Sequence, residues 1–235
     1  MARYKRPSIL SRLKTTKKTT RGKRTKYRLG SLGGAPKAEV KSFDTYVLSN
    51  ATGLPHEDSA GFAEPTSNFA GYTCLNEVSQ GAAFYARIGS KISIKSIQVD
   101  FDLYTLSITT TAGTARCILI YDRQTNGAAP SFVDMFNAYP AAINAFGTGI
   151  NMTNRSRFSI IRDKYYEFGP GESTTKHVHM YAKGRWDTEY KSSTPSVGDI
   201  TTGAIYLSVI SNISLAYSPG KICMNEITAR IRYLD

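Results

Sequence analysis

KISIKSIQVDFDLYTL, residues 91–106, alternates apolar and polar side chains along its length, but not in a single phase. Ile92 and Ile94 fall on even positions; Ile97, Val99, Phe101 and Leu103 fall on odd ones. A period of two marks a strand with one face in a core. A one-residue slip would turn the second half of that face outward unless an extra residue is absorbed as a β-bulge. The stretch therefore predicts a long strand with a bulge or bend at Lys95–Ser96.

Strand-like patterns continue on both sides of it. Phe43, Thr45 and Val47 alternate with Asp44, Tyr46 and Leu48. ARCILIYD, 115–122, is apolar almost throughout, as in a strand buried on both faces. RFSIIRDKYYEF (157–168) and KHVHMYAK (176–183) read as two more strands. AIYLSVISNI places Ile205, Leu207, Val209 and Ile213 on one parity. Near the C-terminus, Cys223, Ile227, Ala229, Ile231 and Tyr233 share one face, and Glu226, Thr228, Arg230 and Arg232 the other. Only Ser131 to Asn137 reads as helix. About seven or eight strands separated by Gly, Pro, Asn and Ser loops predict an all-β antiparallel sandwich or barrel, for which eight strands make a jelly roll the natural form. Loops near 50–71, 123–156 and 184–202 are long for hairpins, a length associated with function or contacts between chains.

The 235 residues carry 30 Lys plus Arg against 18 Asp plus Glu, and the excess is not spread evenly. KTTKKTTRGKRTKYR, 14–28, concentrates it. Residues 1–28 hold Arg3, Lys5, Arg6, Arg12, Lys14, Lys17, Lys18, Arg21, Lys23, Arg24, Lys26 and Arg28 and no acid, so 29–235 balance at 18 of each sign. With too little apolar density for a core, 1–28 are expected to be a disordered arm. GSLGGAPK, 30–37, reads as a flexible joint. The expected organisation is an arm at 1–28, a linker at 29–41 and a folded body at 42–235.

Cys74, Cys117 and Cys223 are odd in number and lack CxxC spacing; Cys117 and Cys223 lie in apolar strand-like runs, so buried thiols in a reducing compartment are expected. No apolar leader or membrane-length apolar run is present, so no membrane partner is expected.

Catalytic signals are weak. There is no GxSxG, no Walker loop, and no GxGxxG opening a helix. GPGES, 169–173, leads into a strand and reads as a turn. His177 and His179 would share one strand face, with Glu172 and His56 as remote candidates for a third metal ligand. The better reading is two histidines on a solvated or interface face, with no metal and no cofactor. Asp100 and Asp102 read as the polar face of a half-buried strand. No enzyme is expected.

The arm is the strongest signal. Its cations neutralise phosphates and release counterions independently of base sequence. Tyr4 and Tyr27 offer stacking faces for unpaired bases. Lys17, Lys18, Arg21, Lys23 and Arg24 also suit a nuclear localisation signal. Arg155, Arg157, Arg162, Lys164 and Arg185 are further candidates for an inner, nucleic-acid-facing wall.

RCILIYDRQTNGAAPSFVDMFN, 116–137, is the most specific stretch. An apolar strand ends in Asp122-Arg123-Gln124, followed by Asn126-Gly127, Pro130 and a short Phe132 to Asn137 segment. Read locally, Asn126-Gly127 is a turn able to take positive φ, and Asp122-Arg123 a charged pair closing the strand. Together with 89–104, the C-terminal ITARIRYLD and the basic arm, it resembles the capsid proteins of geminiviruses and related circular, replication-initiator-encoding single-stranded DNA viruses. The chain lacks the Cys/His spacing that longer, plant-infecting relatives carry and that is associated with zinc.

The resemblance implies a jelly-roll capsid protein that self-assembles into a minimal (T=1) icosahedral shell of about 60 copies. It implies an inward arm on a circular single-stranded DNA genome, a host nuclear import receptor as a further partner, and residence in the virion and, during assembly, the host nucleus. A satellite-like RNA virus coat, or a non-viral nucleic-acid-binding β-sandwich, would share the arm and the sandwich.

Overall fold

The computed structural model describes residues 39–47, 72–105, 113–137, 149–170, 172–211, 222–224 and 227–235. They hold ten strands: β1 (Lys41–Val47), β2 (Tyr72–Cys74), β3 (Lys91–Thr105), β4 (Gly113–Asp122), β5 (Phe158–Phe168), β6 (Thr175–Tyr190), β7 (Ile200–Thr202), β8 (Ala204–Ser211), β9 (Ile222–Met224) and β10 (Ile227–Leu234). One short helix, α1 (Phe132–Met135), lies between β4 and β5. The sheets are antiparallel, one ordered β1-β10-β3-β6-β7 with β9 also pairing β3, the other β2-β8-β4-β5. Without the three-residue strands β7 and β9, the orders β1-β10-β3-β6 and β2-β8-β4-β5 trace the eight-stranded jelly roll, its chain crossing between sheets as in paired Greek keys.

β3 carries the irregularity its sequence predicts. Against β10, Ile94 faces Tyr233 and Ser96 faces Arg232, leaving Lys95 unmatched. Against β6, Ile94 faces Trp186 and Ser96 faces Lys183, so Gly184 and Arg185 span the same point. Ile92 and Ile94 are buried before the shift, and Ile97, Val99, Phe101 and Leu103 after it. β10 is simpler: Ile227, Ala229, Ile231 and Tyr233 enter the core while Thr228, Arg230 and Arg232 stay exposed. The side chains of Cys223 and Glu226 lie outside the described residues, as does Ile213.

β4 is buried on both faces, as expected. Ala115, Cys117 and Leu119 enter the core between the sheets; Ile118 and Ile120 pack with Met135, Phe136, Phe158 and Ile210 on the outer side. Burial pushes the Cys74 and Cys117 thiols up, leaving them unreactive. On β8, Ile205, Leu207 and Val209 are buried, and so are Tyr206, Ser208 and Ile210 of the other parity; Ile210 packs with Met135 and Phe136 of the α1 segment, while Tyr206 belongs to the core between the sheets. Of the expected helix only Phe132–Met135 forms, its start tied by Ser131, whose amide and hydroxyl both donate to Asp134 Oδ2 at 2.9 and 2.6 Å. Asn126 (φ 53°) and Gly127 (φ 69°) take the left-handed conformations their turn requires.

Buried Asn76 ties the sheets together at one end. Its Nδ2 donates to Thr188 Oγ1 on β6 (3.0 Å) and to Gly203 O before β8 (2.9 Å), and its Oδ1 accepts from Ile205 N (2.9 Å). Gly203 has φ +82°, and a Cβ there would lie 2.1 Å from Asp187 O. Gly203→Ala is therefore expected to destabilise the fold by about 2–4 kcal/mol, combining left-handed strain with an unrelieved backbone clash. The urea unfolding midpoint is the check, and an unchanged midpoint would contradict the assigned geometry.

Candidate nucleic-acid interface and the exposed sheet face

The twelve cations of 1–28, Tyr4 and Tyr27, most of the expected linker, and His56 all lie outside the described residues. What the described body supplies is the disposition of its own charges.

Most of the basic side chains expected on an inner wall are engaged within the fold. Arg157 grips the wholly buried Asp122 with two parallel bonds, Nε to Oδ1 and Nη2 to Oδ2, both 2.9 Å. This corrects the expected Asp122–Arg123 pair. Asp122 stands opposite Phe158 in the β4/β5 register, which brings the preceding residue, Arg157, alongside it. Arg123 instead donates to Ser156 O at 2.8 Å. The hydrogen bond and charge of Asp122 hold the Arg157 guanidinium above its already high pKa. Arg162 Nε donates to Tyr181 O (2.9 Å) and Lys164 Nζ to His179 O (2.7 Å), so cations of β5 satisfy carbonyls on β6. Arg185 sits 3.4 Å from Asp187 with both side chains largely solvated. Arg155 remains exposed.

Register brings together residues that are remote in sequence. Asp100 pairs with His179 and Asp102 with His177 across β3 and β6. His177 Nδ1 lies 2.8 Å from Asp102 Oδ1, His179 Nδ1 lies 2.5 Å from Asp100 Oδ1, and Gln98 Nε2 donates to Asp100 Oδ2 at 2.9 Å. On the adjoining strand β10, Arg230 holds Asp44 of β1 with two 2.7 Å bonds. The two histidines do share a face, but that face also carries Asp100 and Asp102. Glu172 is drawn off to Lys176 at 2.6 Å. Among the described residues no group of three or more His, Cys, Asp or Glu is arranged to hold a metal ion. Sequence reading missed the ladder because strand pairing is nonlocal; the shared i, i+2 parity of each pair was the available signal.

The ladder consists of partly solvated acid–base pairs. Burial works to raise the Asp100 carboxyl, but hydrogen bonds from His179 and Gln98 and the nearby imidazoles outweigh it and hold it below the usual carboxylate range. The Arg230 hydrogen bond, against a smaller burial effect, lowers Asp44 in the same way. A carboxylate with a depressed folded pKa contributes stability above its unfolded pKa, lost as pH falls through the folded value. The pairs are well solvated, so each contributes little. Acidification from about pH 5 to about pH 3 should therefore lower the urea midpoint, and Asp100→Asn should shrink that drop slightly. An unaltered or larger drop in the variant would refute the assignment.

The sequence matches the geminivirus coat protein/nuclear export factor BR1 family over residues 2–227. The chain belongs to that family. It is a viral capsid protein, of a family that is structural rather than enzymatic, and its place is the virion. No curated protein matches it. Among solved structures it is similar to VP1 of trichodysplasia spinulosa-associated polyomavirus, in complex with GM1 oligosaccharide, at 8% identity, covering 86% of this chain and 94% of that chain, with a TM-score of 0.25. The same VP1 with 3'-sialyllactose gives 7% identity, 86% and 95% coverage and a TM-score of 0.26. Those similarities are too remote to bear on fold or function.

Proposed function

We propose that this coat protein self-assembles into a small icosahedral shell and packages circular single-stranded DNA through its N-terminal arm. The observation that carries the reading is charge segregation: all of the net +12 resides in residues 1–28, while 29–235 are formally neutral. The body's cations support it from the other side, since Arg157 is committed to buried Asp122 and the exposed Arg162 and Lys164 each donate to a carbonyl of β6. In a shell of about 60 copies, about 12 charges per arm amount to about 720, enough to neutralise a large share of a genome of about one to two thousand nucleotides.

Tyr4 and Tyr27 stack on unpaired bases, and the cations bind phosphates without reading sequence. Lys17, Lys18, Arg21, Lys23 and Arg24 serve a host nuclear import receptor, which places the protein in the host nucleus during assembly. The arm does both jobs in turn, because each needs the same dense, acid-free run of Lys and Arg.

Deleting residues 1–28 separates assembly from packaging. The truncated chain is expected to form shells that lose most of their nucleic acid, read as a fall in the 260/280 nm absorbance ratio of purified particles. In full-length particles the cargo should resist nuclease until the shell is opened, then yield to DNase and not RNase. Arm-deleted particles with a normal absorbance ratio would refute the role of the arm; RNase-sensitive cargo would replace DNA with RNA.

A further inference from the structure

Between β2 and β3, residues 79–90 form a compact loop that inverts the usual sorting of side chains. Arg87 is 1% exposed, whereas Phe84, Tyr85 and Ile88 are 59%, 58% and 66% exposed. Arginine is among the residues least often buried, and large apolar side chains among those most often buried. Three more bonds fix the loop from inside: Gly81 N to Arg87 O, Arg87 N to Ser79 O, and Gln80 Nε2 to Ile88 O, at 2.9, 3.0 and 2.7 Å.

Arg87 is the anchor. Its Nε donates to Val78 O (3.0 Å), Nη1 to Gly89 O (2.7 Å) and Nη2 to Ser192 O, and its guanidinium lies over the Tyr190 ring at 4.1 Å. Two outside elements grip the same loop, Lys41 Nζ donating to Ala86 O (2.9 Å) and Tyr233 Oη to Tyr85 O (3.1 Å). The apolar side chains are thus held outward on a rigid backbone, and ordering them on binding costs little further backbone entropy.

We propose that Phe84, Tyr85 and Ile88 form a contact between copies of this chain; the inference rests on the capsid reading above. The three side chains, each more than half exposed and within five residues of one another, make a small, largely apolar cluster of the kind that marks interaction sites. A standard interface takes about 800 Å² from each partner, so this patch is too small to hold a lone dimer. It suits a contact repeated around a shell, where many weak contacts reinforce one another. Nucleic acid is a poor occupant: of the cations that grip this loop, Arg87 points inward and Lys41 is paired with Asp235 at 2.7 Å.

The test uses the full chain. Replacing Phe84, Tyr85 and Ile88 together with Ser should leave the thermal unfolding midpoint near that of the parent and cut the particle fraction in sedimentation at least about tenfold. Separately, Ile88→Cys should resist maleimide within particles and react once they are dissociated, with the parent chain as the thiol background. Equal particle yields, or equal Ile88→Cys reactivity in both states, would overturn the contact while leaving the capsid reading standing. A parent chain that forms no particles under any salt condition would overturn both.

Discussion

A strand as long as β3 keeps one face in a core only if its phase is corrected partway. Lys95 performs that correction, unmatched against β10 and faced by Gly184 and Arg185 on β6. Because β3 is central, the correction must satisfy both neighbours at once, and it does so at one level of the sheet. Its consequences reach the surface. With the phase reset, Val99, Phe101 and Leu103 point inward, so Asp100 and Asp102 must point outward, where β6 presents His179 and His177. The exposed ladder and the apolar core are two sides of one register.

Charge follows a similar division. The wholly buried Asp122 has a dedicated arginine in Arg157, and removing one partner of such a pair leaves an uncompensated ion and costs about 3–5 kcal/mol. Buried Asp199 is held instead by the hydroxyls of Thr194 and Ser196. Where carboxylates are solvated, as at Asp44 and Asp102, the pairs contribute little. Arg162 and Lys164 do a third job: they occupy carbonyls on β6 that an exposed sheet edge would offer to another chain. Cations that look available in the sequence are thereby assigned to the fold, which sharpens the contrast with an arm that contains no acid at all.

What was legible in the sequence is what depends on local periodicity. The bulge at Lys95, the alternation of β10 and the two-faced burial of β4 each follow from which neighbours along the chain are apolar. What was not legible depends on pairing between distant segments. Ile210 of β8 is buried because Met135 and Phe136, far from it in sequence, pack on it from the outer side of the sheet. Arg157 rather than Arg123 answers Asp122 because β5 is registered against β4. Composition marks Arg87 as a surface residue, and only the carbonyls of Val78, Gly89 and Ser192, which converge from two loops, turn it inward. Strands β7 and β9, three residues each, carry too few positions for any period to show.

Nonlocal ties also hold the first strand of the body. Among the described residues β1 is an edge strand, bonded on one side by β10. An edge strand loaded from its end peels bond by bond, so the first residue decides how much load the ladder bears. That residue is Lys41, whose buried ammonium sits 2.7 Å from Asp235 and donates to Ala86 O at 2.9 Å. The next charged tie, Asp44 to Arg230, is bidentate but solvated, and Thr45 Oγ1 reaches across to Leu75 O at 3.3 Å. The least solvated tie comes first, at the point where peeling would start. Lys41 also anchors the loop that exposes Phe84, Tyr85 and Ile88, so one side chain ties β1 and Asp235 to the scaffold of the proposed copy-to-copy contact.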